Sequence, residues 1–162
     1  RGLSYYFKGE YRNSIIDLQN ALSKDPKNDK IPLFLGLGYY YLADNENSIM
    51  YLTEALKLQK KSVYITSMLG FAYFNNDDYT NSYNSFVAVV KEKPKDPSFA
   101  YVGLAICALR LSEQFRAIDF YRKATAIDPK FGGSIDEIFK NSTYLFSEKQ
   151  KKAIEEIKAL MQ

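Results

Sequence analysis

Histidine and tryptophan are absent from this chain, and cysteine occurs once. Without histidine there is no Ser-His or Cys-His pair for nucleophilic catalysis. A single thiol excludes an intrachain disulfide and a Cys/His metal site. Cys107 lies in Leu104-Ala105-Ile106-Cys107-Ala108-Leu109, a helical run of small and apolar residues, and reads as a buried filler. Charge of one sign is also scarce: 22 Lys and Arg stand against 19 Asp and Glu, a net charge of +3. No five like charges are consecutive, so the basic stripe that nucleic-acid binding needs is missing. Lys149, Lys151 and Lys152 sit among Glu148, Glu155 and Glu156, which reads as a solvated helix face. No apolar run approaches the roughly eighteen residues of a membrane-spanning helix, so direct membrane insertion is not expected. Asp77 and Asp78 read as turn residues with no base or metal-ligand set beside them. Neither enzyme activity nor a cofactor is expected.

What the chain does have is a period. Gly2, Gly36 and Gly70 lie 34 residues apart. Tyr5, Tyr39 and Tyr73 repeat at the same interval, as do Ser14, Ser48 and Ser82, then Leu18, Leu52 and Phe86, then Ala21, Ala55 and Val89. A fourth copy follows with one extra residue at the junction: Ala105, Ala108, Ala117, Tyr121 and Ala124. Pro26, Pro94 and Pro129 close three copies, and Lys60 replaces proline in the second. The chain opens at Arg1 and the first copy lacks the opening of its first helix, so it reads as a piece of a longer protein. Its 17 Lys against 5 Arg, with much Asn, Tyr and Ile, point to an AT-rich genome, and the compartment stays open between bacterial cytoplasm and cell envelope.

Each unit reads as two helices. Apolar residues recur at helical spacing in both halves, for example Leu35, Leu37, Tyr39, Tyr40 and Leu42, then Ile15, Leu18, Ala21 and Leu22. Polar breaks separate the halves: Gly9-Glu10, Ala43-Asp44-Asn45, Asn76-Asp77-Asp78 and Ser112-Glu113. The spacing predicts helices over 1–8, 11–24, 29–42, 45–59, 63–76, 79–92, 98–111 and 114–127. Gly36 and Ser48 are expected where paired helices approach closely. Beyond the last copy, Ser134-Ile135-Asp136-Glu137 predicts a capping box opening a short helix to about Lys140. Ser147-Glu148-Lys149-Gln150 predicts another, opening a helix to about Met161 with a stripe of Ala153, Ile154, Ile157, Leu160 and Met161. That helix is expected to cover the end of the fourth copy, since a terminal repeat needs a cover. The organisation is therefore repeat 1 over 1–28, repeat 2 over 29–62, repeat 3 over 63–97, repeat 4 over 98–131 and capping helices over 132–162.

Leu35-Gly36-x-x-Tyr39 with Ser48, Leu52 and Ala55 resembles the tetratricopeptide repeat. So do Leu69-Gly70-x-x-Tyr73 with Ser82, Phe86 and Pro94, and Leu104-Ala105 with Ala117, Tyr121, Ala124 and Pro129. The opening tryptophan of the repeat is replaced by Pro32, Thr66 and Tyr101. The resemblance implies an all-α, right-handed superhelical solenoid of antiparallel helix pairs, whose first helices line a concave groove. It implies a non-catalytic scaffold or adaptor that holds a peptide or helix of a partner protein. Groove positions carried over from the family fall on Leu3, Tyr6 and Phe7 in the first unit, and on Leu37, Tyr40 and Tyr41 in the second. In the third they fall on Tyr64, Met68, Phe71, Phe74 and Asn75, and in the fourth on Arg110. This set is apolar and aromatic, which suits an apolar strand or amphipathic helix. The family's carboxylate clamp is not supported, because Leu3, Phe34, Tyr64 and Met68 hold its positions. The alternative is a self-assembly module that pairs as a homodimer.

Overall fold

The structure is a computed structural model that describes residues 1–139 and 146–162. It is helical throughout, with no strand among the described residues. Compactness divides it into two units, Arg1–Asn76 and Asp77–Gln162. The first unit holds α1 (Gly2–Phe7), α2 (Tyr11–Lys24), α3 (Ile31–Tyr41), α4 (Asn45–Leu58) and α5 (Val63–Asn75). The second holds α6 (Tyr79–Lys91), α7 (Ser98–Arg110), α8 (Gln114–Ile127), a 3₁₀ turn (Pro129–Gly132), α9 (Ile135–Phe139) and α10 (Glu148–Leu160). Every end of α1 to α8 falls within two residues of the periodicity's expectation. Lys140, the expected end of α9, lies outside the described residues.

In the first unit, helices consecutive in the chain pack as neighbours, α1 on α2, α2 on α3, α3 on α4 and α4 on α5. The period marks the closest approaches. A Cβ on Gly36 would lie 2.7 Å from Leu52 Cγ and 3.0 Å from the Leu52 backbone nitrogen, and one on Gly2 would lie 2.9 Å from Leu18 Cγ. Only a residue without a side chain fits there. Ser48 adds to the same crossing by donating to the Gly36 carbonyl at 2.9 Å, with both groups buried. Ile15, Leu18, Ile31 and Leu35 form the core beside it.

The reversal between paired helices is one recurring device. Gly9, Ala43, Asp77 and Ser112 all have positive φ, between 58° and 77°. The next amide then reaches back five residues: Glu10 to the Tyr5 carbonyl (2.9 Å), Asp44 to Tyr39 (3.0 Å) and Glu113 to Ala108 (2.8 Å). This is the Schellman closure, which satisfies carbonyls left open at a helix end. The residue after the left-handed one is the N-cap of the following helix, and in two of the four turns its side chain makes the cap. Asp44 and Asp78 accept from the amides of Asn47 and Asn81 at 3.2 and 3.1 Å.

In the second unit, α6 packs on α7, α7 on α8, and α10 on both α7 and α8. A Cβ on Gly103 would lie 2.5 Å from the Phe86 ring, and Ser82 Oγ meets Cys107 Sγ at 3.0 Å. Burial pushes the Cys107 thiol up to about 12, so it stays protonated and packs as a filler. The Tyr121 hydroxyl donates to the Phe131 carbonyl at 2.7 Å and ties the 3₁₀ turn to α8. Both expected capping boxes form. Ser134 and Glu137 bond reciprocally at 2.8 and 3.3 Å, as do Ser147 and Gln150 at 2.9 and 3.3 Å.

Candidate functional site

The first helices of the first unit carry an aromatic cluster. Tyr6 of α1 lies at its centre, edge-on to Phe7 (ring centroids 5.4 Å), Tyr11 (5.7 Å), Phe34 (5.2 Å) and Tyr41 (5.9 Å). Tyr11 and Tyr41 stack at 4.2 Å with their planes 3° apart, and Phe7 meets Phe34 at 6.0 Å. Burial, then Tyr41 and Tyr64, hold the Tyr6 phenol far above its usual range, so its hydroxyl stays protonated. Phe7 is 75% exposed and Tyr64 38%, and Leu3, one turn before Phe7 on α1, is 40% exposed. Tyr6, Tyr41 and Asn75 are half-buried. Phe34, at a clamp position of the groove, belongs to this face, and so does Tyr11, which did not stand among the expected site residues. Tyr11 opens a second helix, and only the fold brings it against Tyr41.

Five expected groove residues are core instead. Leu37, Tyr40 and Met68 are buried, and Phe71 and Phe74 have no exposed surface at all. The reason is visible in α5, where Ile65, Ser67, Met68, Leu69, Gly70, Phe71, Ala72 and Phe74 are all buried. Eight of the thirteen residues of α5 are buried, while Tyr64 in its first turn stays open. These residues set the packing of the face rather than the face itself.

Arg110 is also not open. Its two guanidinium nitrogens donate to both carboxylate oxygens of Glu156 on α10, at 2.6 and 3.0 Å. This bond holds the Glu156 carboxyl below its usual range. Lys149, one face-repeat earlier on α10, donates to Asp77 at 2.6 Å. Phe146, just before α10, stacks on Phe99 at 5.8 Å. The expectation that the last helix covers the end of the fourth repeat is therefore incomplete, since it also engages the side of α7 that the family resemblance assigned to the groove. Phe115, 91% exposed at the start of α8, was not singled out. Its signal was that Arg12, Glu46 and Thr80 keep the same register polar in the other repeats.

A cleft of about 590 Å³ beside the start of α1 is lined by Leu18, Ala21, Ile31, Phe34, Lys24 and Lys30 among others, with the Arg1–Asp17 ion pair (2.7 Å) at its edge. It gathers no nucleophile–base pair. Among the described residues no group of three or more His, Cys, Asp or Glu could hold a metal ion, and no helix is long and apolar enough to cross a membrane.

No protein-family model matches the chain, and no curated protein matches it by sequence. Solved structures do match its fold. The crystal structure of MamA superposes with a TM-score of 0.75 at 22% identity, covering 99% of this chain and 84% of that one. PilW, described as a widely conserved type IV pilus biogenesis factor, gives 0.70 at 18% identity, covering 99% and 89%. PilF of Pseudomonas aeruginosa gives 0.71 at 15% identity, covering 98% and 72%. All three are helical proteins of the tetratricopeptide type, and the fold of this chain is like theirs.

Proposed function

We propose that this chain is a non-catalytic protein-interaction module whose first unit binds an apolar peptide or amphipathic helix of a partner through Leu3, Tyr6, Phe7, Tyr41 and Tyr64. The observation that carries the reading is Phe7. A phenylalanine three-quarters exposed, backed by a cluster of aromatic rings, is stable on a surface but unused by the core. Contiguous exposed apolar surface marks interaction sites. Rigid aromatic side chains give large contact area at low entropic cost, which is why they anchor interfaces. The description of PilW as a pilus biogenesis factor is compatible with an assembly role of this kind.

The test places a photo-crosslinking amino acid at Phe7 in the native cell and, as a control, at Phe115. The partner recovered from Phe7 is then titrated against the purified chain. Phe7→Ala is expected to weaken binding about thirtyfold, the equivalent of roughly 2 kcal/mol at one aromatic anchor, with no change in melting temperature. About 0.5 M salt should change binding little, because the face carries few charges. Normal binding by Phe7→Ala, with binding abolished by salt, would show that the partner uses a charged surface. If light scattering instead finds a dimer that Phe7→Ala dissolves, the occupant is a second copy of this chain.

A further inference from the structure

In the second unit, α10 packs one face against α7 and α8. Its inner face consists of Gln150, Ala153, Ile154 and Ile157, all fully buried, while Glu148, Lys152, Glu155 and Ala159 face outward. The side of α7 it meets is marked by Phe99 and Arg110. These lie eleven residues apart, so at about 100° per residue they share one face of the helix. Ile106 stands between them on the same stripe and is fully buried. Arg110, at one end of that stripe, is the residue that the resemblance placed in the groove.

The crossing direction follows from the flanks of α10. Lys149 and Glu156, two turns apart on one flank, reach Asp77 and the C-terminal end of α7 at Arg110. Lys158, half a turn round on the other flank, donates to the carbonyls of Gly132 (3.2 Å) and Gly133. Those glycines follow Phe131, whose ring meets Phe99 at the N-terminal end of α7 (5.2 Å). Opposite flanks of α10 thus meet opposite ends of α7, so α10 lies across the first helix instead of alongside it. A further repeat would set its helix alongside.

The apolar contact of α10 rests on Ala153, Ile154 and Ile157, beside Phe146 stacked on Phe99. The rim pair is partly solvated, with Arg110 and Glu156 side chains 23% and 38% exposed, so salt screens it. We infer that α10 is an intramolecular occupant of a helix-binding face. The α7 face takes a partner's amphipathic helix with a small and β-branched seam and a carboxylate opposite Arg110, and α10 withholds that face until it is displaced. A tethered occupant lowers the apparent affinity of any competitor by the fraction of time the face is open. This inference stands on the second unit alone and does not rest on the aromatic face of the first.

The experiment uses the full chain and a fluorescent peptide of residues 146–162 as the probe. Glu156→Arg sets two cations against each other and should release α10, so that chain should bind the peptide at least about tenfold more tightly than the natural one. Arg110→Glu should lose peptide binding, and a peptide carrying Glu156→Arg should restore it. Phe7→Ala should leave peptide binding unchanged, which separates this result from a failure of the first-unit reading. Hydrogen exchange of the α10 amides and circular dichroism report whether Glu156→Arg has released α10 in a folded chain. If that chain loses its helical signal, Ile157→Ala is read in its place. Released α10 without a gain in peptide binding would overturn the inference. So would α10 amides that remain as protected as in the natural chain.

Discussion

At the scale of single residues, Gly36 shows two effects of opposite sign. Alanine is the better helix former by about 1 kcal/mol, which favours Gly36→Ala. The added Cβ would meet Leu52 Cγ at 2.7 Å and its backbone nitrogen at 3.0 Å, and Leu52 has no exposed surface into which to move. Overpacking of that kind costs about 1–3 kcal/mol, and here a backbone atom is part of the obstacle. We expect Gly36→Ala to destabilise the chain by about 1 kcal/mol, read as a lower midpoint in urea. An unchanged or higher midpoint would mean that α3 and α4 separate without cost. Gly36 was legible from the period alone. Phe71 and Phe74 were not, because an aromatic at a groove register looks the same in sequence whether its neighbours cover it or leave it open.

At the scale of elements, the paired helices are joined by one left-handed residue. Glycine occupies that position only once, at Gly9, while Ala43, Asp77 and Ser112 take the same conformation with a side chain. A non-glycine residue there costs about 1–2 kcal/mol, less for Asp than for Ala. Ala43→Gly should therefore stabilise the chain by about 1 kcal/mol, net of the added freedom of the unfolded chain. A lower melting temperature would show that the Ala43 methyl makes a contact worth more than the strain. The polar breaks in the sequence located these turns to the residue. Their shared geometry was hidden, because four different residue types carry it.

At the scale of the whole chain, each unit fastens an end helix through carboxylates held by hydrogen bonds from cations. In the second, Glu156 and Asp77 are held below their usual ranges, each chiefly by its hydrogen bond, to Arg110 and Lys149 respectively. In the first, the bond from Arg1 does the same for Asp17 and joins α1 to α2. A carboxylate with a lowered pKa in the folded state stabilises at pH above its ordinary value, 4.5 for Glu156, and loses that contribution as pH falls through the lowered one. Acid should thus loosen α10 and α1 before α3 and α4, whose closest approach is sealed by the neutral Ser48–Gly36 bond. Amide exchange followed from neutral to acid pH checks this, and simultaneous loss of all four helices would contradict it.

The sequence by itself determined the helix pairs, their ends, the close crossings and both capping boxes. These depend on periodic apolar faces and on contacts a few residues apart, which are written locally. The tertiary structure decided which apolar residues remain open and where the tail lies. Five expected groove residues became core because the surroundings of a first helix come from segments distant in the chain. Arg110 became the partner of Glu156, 46 residues later, because α10 crosses α7. Amphipathic periodicity says that α10 has a face to bury. Only the packed fold says that the face it buries is pressed against α7.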